Sequence, residues 1–319
     1  VARTSRQDRL NGGIWGLLIG DALGVPYEFT PPSRIPLLEK IEFVPPVDFL
    51  RAHHGIKPGT WSDDGAQALC LLASLLELGR MDPQDCMERI FRWFRHGEYA
   101  VGKDVFDVGM QTSEALGRFQ KGTPPLECGR RDEMGNGNGS LMRILPLAIW
   151  HKGSDAELVQ DAIQHSRITH GHLRAGLCCA LYCLWARNLL EEKLDAWRLS
   201  IETLEGLFPD GTPERKELDE KITPRVKQPG KGSGYVLDSL WSVRQCMDAG
   251  DYQDVVKAAV SLGNDTDTTA CIAGGIAGVR DGVQAIPVRW MKALRGKELV
   301  EPLLERLIRW NGAAGSIHG

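Results

Sequence analysis

Two segments of this 319-residue chain read as helices that are apolar almost all round, and each begins on a run of acids. Ala66–Leu78 leaves only a narrow polar stripe of Gln67, Ser74 and Glu77, so it must be deeply buried. Thr268–Val279 is built from Ala, Gly, Cys and Ile, small residues that let neighbouring helices approach closely, and is expected at the centre of the fold. Ser62-Asp63-Asp64 precedes the first and Asn264-Asp265-Thr266-Asp267-Thr268 the second, about two hundred residues later. One aspartate at a helix start is explained as a cap, because the N-terminal amides favour negative charge. Adjacent pairs at two such starts are not, since like charges repel. If both starts point into one place, four carboxylates gather there, and buried unpaired charge is very costly. Cations would relieve it, two balancing four carboxylates better than one. Carboxylate and hydroxyl oxygens are hard donors, which favours Mg²⁺ or Mn²⁺ over zinc.

The rest of the chain supports an all-α reading. Asp82-Pro83 reads as a cap and first turn for a helix to about His96. Ser154–Ser166, His172–Asn188, Tyr235–Ala249, Tyr252–Leu262, Val288–Leu294 and Lys297–Arg309 follow, with Gly250-Asp251 as a break. No alternating strand pattern of useful length occurs. We therefore expect one compact domain over residues 1–319, an orthogonal helical bundle around a central metal-containing cleft. Thr30–Thr60 is Pro-rich, contains His53-His54-Gly55, and reads as loop. Residues 209–234, charged and studded with Pro and Gly, are expected to form a mobile loop insertion.

Several function classes are disfavoured. A net charge of -4 gives no basic footprint for nucleic acid or an anionic membrane. No run has the length of a membrane span, and the basic start (Arg3, Arg6, Arg9) lacks the apolar region of a signal peptide. Eight cysteines without a Cys-x-x-Cys read as buried free thiols of a cytoplasmic protein.

Glycine marks three further places. Positions 13, 16 and 20, in the apolar stretch from Asn11 to Gly24, suit close helix packing. Gly135-Asn136-Gly137-Asn138-Gly139-Ser140 must be a tight loop, with a helix expected from Ser140; its amides suit a phosphate or a plain turn equally. Arg143 could assist an anion or form a salt bridge. Thr169-His170-Gly171-His172 opens another helix, and a ligand contact there is about as well supported as a structural role.

Taken in order, Gly20-Asp21-Ala22-Leu23-Gly24 with Glu28, Trp61-Ser62-Asp63-Asp64, Asp107-Val108-Gly109, Gly137-Asn138-Gly139-Ser140-Leu141-Met142-Arg143, Thr169-His170 and Asp265-Thr266-Asp267-Thr268 resemble the ADP-ribosylglycohydrolase family over nearly the whole chain. The family includes dinitrogenase reductase-activating glycohydrolases and ADP-ribosylarginine hydrolases. The resemblance implies a dinuclear Mg²⁺ or Mn²⁺ centre held by Ser62, Asp63, Asp64, Asp265, Asp267 and Thr268. It further implies diphosphate contacts from Gly137, Asn138, Gly139 and Ser140, a substrate contact from His170, and a flanking position for Tyr235. Glu28, on a loop over the site, and Asp107 are the catalytic candidates, which the sequence does not rank. Many members carry Thr where Ser62 and Gly65 stand; Ser62 keeps an oxygen, whereas Gly65 cannot supply one. The expected reaction is hydrolysis of the bond between ADP-ribose and an acceptor on a protein, foremost arginine, by a monomer releasing ADP-ribose. Serine-linked, O-acetyl- and nucleic-acid-linked ADP-ribose are alternatives, as is a module that binds ADP-ribose without cleaving it. A His-Asp phosphohydrolase is disfavoured because the chain has no His-Asp dipeptide.

Overall fold

The glycines between Asn11 and Gly24 lie on helix α1 (Arg6–Gly24), started by a Ser5–Asp8 capping box. Gly12, Gly16, Gly20 and Gly24 recur every four residues, so they share one face. That face runs against helix α13 (Thr266–Asp281), whose Gly274 and Gly278 meet it. The backbones approach so closely that a Cβ on Gly20 would lie 2.0 Å from the Ala270 carbonyl oxygen, and one on Gly16 would lie 2.4 Å from that of Gly274. Of the positions singled out from sequence, Gly16 and Gly20 form the seam and Gly13 lies at its edge, facing the Val279 side chain.

The computed structural model describes residues 4–223 and 229–312. Between α1 and α13 come α2 (Asp63–Leu78), α3 (Pro83–His96), α4 (Met110–Gln120), α5 (Pro125–Cys128), α6 (Leu145–Trp150), α7 (Asp155–Arg167), α8 (Leu173–Leu190), α9 (Ala196–Leu207), α10 (Pro213–Glu217), α11 (Val236–Cys246) and α12 (Tyr252–Ser261). After α13 follow α14 (Val288–Ala293) and α15 (Lys297–Gly312). Among the described residues there is no strand, only isolated bridges pairing Arg130 with His170 and Gly137 with Tyr235. The all-α expectation holds in one compact domain. Nearly every residue of α2, α8 and α13 is buried, so these helices form its centre. Two hydroxyls clamp the seam from outside: Tyr252 donates to the Gly16 carbonyl and Tyr182 to that of Ile272, each at 2.9 Å.

Local signals placed most helix ends. Asp82 caps α3 by accepting from the Gln84 and Asp85 amides, and Ser154 caps α7 with a capping box to Glu157. His172 caps α8. Three expectations need amendment. The acids do not stand before α2 and α13: Asp63, Asp64 and Asp267 lie within their first turns, and Ser62 is the cap of α2. No helix starts at Ser140. The Asn138 carbonyl accepts from the Leu141 and Met142 amides in a turn, and α6 begins only at Leu145. Within residues 209–234, α10 and a short wider-wound turn over Leu218–Ile222 replace plain loop, with Leu218 and Ile222 buried; residues 224–228 lie outside the described residues. All eight cysteines are free and buried. No helix of the described residues is long and apolar enough to cross a membrane.

Candidate active site

The antiparallel seam carries the C-terminal end of α1 to the N-terminal end of α13, with α2 starting beside them. Asp21, fully buried on α1, ties this junction together. Its carboxylate accepts from the Ser62 amide at 2.8 and 3.0 Å and from the Gly65 amide at 2.8 Å. A carboxylate from another helix thus serves the orphan amides of α2. Burial pushes the Asp21 carboxyl up to about 7. Asp21 stands in the Gly20–Gly24 motif, but nothing local gives it a task; the signal is that it is the one charged residue between Leu10 and Gly24. Asp21→Ala would leave two buried amides unpaired, and we expect a loss of about 2–4 kcal/mol. Urea unfolding checks this; a midpoint equal to wild type would refute it.

Over this junction opens a cleft of about 740 Å³. Asp63, Asp64, Asp265 and Thr268 line it, so the two acidic runs do converge. Asp63 accepts from Gln67 Nε2 at 2.9 Å, and Thr268 Oγ1 donates to Asp64 Oδ1 at 3.3 Å. Asp267 Oδ1 accepts from the Thr268 amide at 2.9 Å. The second oxygens of Asp64 and Asp267 are buried without any hydrogen-bond partner. Buried carboxylate oxygens are rarely left so. Burial, then neighbouring carboxylates, push Asp63, Asp64 and Asp267 well above the usual range, and burial also raises Asp265. Orphaned hard oxygens among mutually repelling carboxylates fit divalent cations. Ser62 lies behind the cleft surface, its Oγ accepting from the Asp64 amide at 3.4 Å. Cys271 is the softest donor near Asp21 and Asp64. Burial pushes its thiol well up, and a soft sulfur suits a hard Mg²⁺ or Mn²⁺ poorly.

Glu28 and Asp107 enter from loops. Glu28 is buried and grouped within 4.8 Å with Asp265 and Asp267 on one side and with His53 and Asp107 on the other. Burial pushes Glu28 up to about 8. Asp107, half-buried and also raised by burial, holds a left-handed backbone at φ 55°. The Glu28 loop is stitched to the second acidic run, because the Phe29 amide donates to the Asn264 carbonyl and the Asn264 amide to that of Thr30, both at 2.7 Å.

The glycine loop forms the far wall. Gly137 and Gly139 lie on the His170 ring so closely that Cβ atoms there would meet Nε2 at 3.2 and 3.1 Å. Asn138 closes the loop onto the acidic site, donating to Asp265 Oδ2 at 2.8 Å and to Ser239 Oγ at 2.9 Å. Arg143 organises this wall from beneath. It is fully buried and donates to Gln67 Oε1 at 2.8 Å, the Gly139 carbonyl at 3.0 Å, His165 Nε2 at 3.0 Å and Thr169 Oγ1 at 2.6 Å. All four acceptors are neutral, so Arg143 forms neither the anion contact nor the salt bridge considered from sequence. Burial brings its guanidinium down to about 10. Thr169 Oγ1, loaded by Arg143, lies 2.8 Å from His170 Nδ1. Its proton can go there, which leaves Nε2–H facing the cleft. Burial, then Arg143, hold the His170 imidazole near 3, hence neutral. Ser140 is buried against Ser166 at 2.8 Å, below the surface of the cleft. Tyr235 pairs its backbone with Gly137 and accepts from Arg174 at 2.9 Å, but does not itself line the cleft, whereas Ser233 and Gly234 do. Lining residues that sequence reading missed are Phe29, Met110, Gln111 and Thr112; no local pattern marked them.

The fold and site together define an all-helical enzyme scaffold with a deep cleft, acidic on one side and glycine-walled on the other. The family model described as ADP-ribosylglycohydrolase matches residues 2–315. The chain belongs to the ADP-ribosylglycohydrolase family and is a hydrolase acting on ADP-ribose conjugates. It is 29% identical over 310 residues to the ADP-ribosylarginine hydrolase Tri1 of Pseudomonas putida, covering 94% of this chain and 78% of that protein. It is 28% identical over 298 residues to the ADP-ribosyl-[dinitrogen reductase] glycohydrolase of Rhodospirillum rubrum, covering 91% of each. A solved structure named an ADP-ribosylglycohydrolase-related protein complex superposes with a TM-score of 0.77 at 33% identity, over 96% of this chain and 98% of that one.

Proposed function

We propose that this chain removes ADP-ribose from arginine side chains of modified proteins, in a reaction that depends on Mg²⁺ or Mn²⁺. The observation that carries it is the pair of orphaned oxygens on Asp64 and Asp267, set among carboxylates facing a glycine loop. Asp63, Asp64, Asp265, Asp267 and Thr268 would hold two ions, with Ser62 supporting the turn from behind. Bound there, such ions supply Lewis acidity toward water and the ribose hydroxyls. Hydrolysis at the anomeric carbon passes through an oxocarbenium-like state that needs one group to give a proton and another to take one. Glu28 and Asp107, on loops rather than helix starts, would perform those tasks. The amides of Gly137 and Gly139 and the His170 Nε2–H would grip the diphosphate, placing binding energy away from the reacting carbon; the Asn138 amide, expected to join them, donates instead to the Gly234 carbonyl at 3.1 Å. The arginine linkage is supported by relatives named ADP-ribosylarginine hydrolase from Pseudomonas putida and Serratia proteamaculans, at 29% and 28% identity.

A panel of arginine-, serine-, acetyl- and nucleobase-linked ADP-ribose, assayed with Mg²⁺, with Mn²⁺ and with EDTA, tests the proposal. We expect release of ADP-ribose fastest from arginine, abolished by EDTA and restored by either ion. Preference for another linkage would overturn the arginine assignment. Undiminished turnover in EDTA would overturn the metal dependence. Tight binding of ADP-ribose with no turnover on any linkage would instead favour a binding module.

A further inference from the structure

Glu28 sits where nothing else on its own loop would hold it. Its carboxylate is crowded by Asp107, Asp265 and Asp267, and the next residue, Phe29, is 72% exposed. Whenever Glu28 is ionised, repulsion from these acids drives its side chain outward to water. His53 opposes this, because its Nε2 lies 2.5 Å from Glu28 Oε2. His53 comes from the irregular Pro-rich stretch, and its ring is fixed between two others, Phe29 at 5.8 Å and Phe106 at 5.0 Å between centroids. Phe106 precedes Asp107, so the imidazole bridges the loops that bear the two catalytic candidates. Phe29, His53 and Asp107 all hold left-handed backbones, with φ of 59°, 49° and 55°. Non-glycine residues seldom adopt that region, and it persists where surroundings over-determine it, often at functional sites. The His53 loop is also anchored, because the Ala52 amide donates to the Pro26 carbonyl at 2.9 Å.

We propose that His53 is a positioning residue for the hydrolysis: its Nε2–H holds the Glu28 carboxylate inside the cleft, opposite Asp107, at the working distance from the anomeric carbon. The proposal rests on the reading of this cleft as the hydrolytic site. His53 does not line the cleft, so its effect would reach the reaction only through Glu28. Its donor atom, and not merely its ring, is what matters.

Three variants separate donor from ring. His53→Ala removes both, His53→Phe keeps an aromatic between Phe29 and Phe106 without the donor, and His53→Gln keeps an N–H of similar reach. Steady-state kinetics on ADP-ribosyl-arginine should show kcat falling about 100-fold in His53→Ala and His53→Phe, the scale of a misplaced catalytic group, with KM changed little. His53→Gln should recover most of that loss. In a Glu28→Gln background, His53→Ala should cost little further. A kcat near wild type in His53→Phe, equal losses in all three variants, or full additivity with Glu28→Gln would overturn the proposal. Failure of the hydrolase reading is distinguishable, since wild type would then cleave no linkage. The positioning claim would still be decided by crystal structures: Glu28 turned outward in His53→Ala supports it, and Glu28 unmoved refutes it.

Discussion

Gly20→Ala should prevent the chain from reaching a cooperative native state, although alanine is the better helix former. In an exposed helix the same change is worth about 1 kcal/mol of stabilisation. At Gly20 the added carbon would lie 2.0 Å from the carbonyl oxygen of Ala270 and 2.7 Å from its carbonyl carbon. Both are backbone atoms in a buried helix, so no side chain can turn aside. α1 and α13 would have to separate by more than an ångström. That would strain the Tyr252 and Tyr182 hydrogen bonds and dislodge Asp21, the neighbour of Gly20, from the start of α2. A loss above about 4 kcal/mol belongs to this mechanism. Gly117 on α4 is the control, because nothing lies within 4 Å of a Cβ there, and Gly117→Ala should hold or slightly raise stability. Urea denaturation followed by circular dichroism gives both numbers. A cooperative Gly20→Ala transition near the wild-type midpoint would mean the helices are not locked at this distance.

The second large effect has opposite signs for stability and activity. Asp64→Asn and Asp267→Asn should each cut turnover by about 10²–10³-fold, as expected when a buried group stabilising the reacting charge is lost. Without divalent ions, the same variants should be more stable than wild type. These carboxyls are raised in the folded state, so between their unfolded and folded pKa values the native protein binds more protons than the unfolded chain. Stability from such groups is present at low pH and lost as pH rises through the folded value. At neutral pH these carboxyls carry a net penalty, as buried charge or as the cost of taking up a proton, and asparagine removes it, for a gain on the order of 1–3 kcal/mol. Mg²⁺ should offset the penalty in wild type by about 2.7 kcal/mol at a hundred times its dissociation constant, and much less in either variant. Thermal unfolding with and without Mg²⁺ reads all of this. A wild type indifferent to Mg²⁺ and Mn²⁺, or variants less stable than wild type in EDTA, would argue against cations at this site.

These sites differ in how far they could be read in advance. The start of α3 was legible because Asp82, Pro83 and the following periodicity act within one turn. The two acidic runs were legible because an apolar helix cannot bury such charge without a partner. Arg143 was not, since its acceptors Gln67, Thr169 and His165 are 76, 26 and 22 residues away, and nothing local distinguishes a buried hub from a surface arginine. The same distance hid the loop after Ser140, where a helical start was displaced by a turn built for Arg143 and Asn138. His53 pairs with Glu28 across 25 residues of irregular chain, where no periodicity exists to set register. The spacing of Gly12, Gly16, Gly20 and Gly24 is visible by eye, but the helix that matches it is not.

The seam between α1 and α13 also dictates when the protein can come together. Thr266 Oγ1 donates to the Gly24 carbonyl across 242 residues, and the whole glycine face of α1 waits for a partner equally remote. Until α13 has been synthesised, α1 has a bare stripe of backbone and no means of burying it. Closing so long a loop makes formation of the central pair late and slow relative to local helices such as α7 with α8. Because α1 and α13 also carry Asp21 and Asp267, an ability to take up divalent cations would serve as a clock for the last step of assembly.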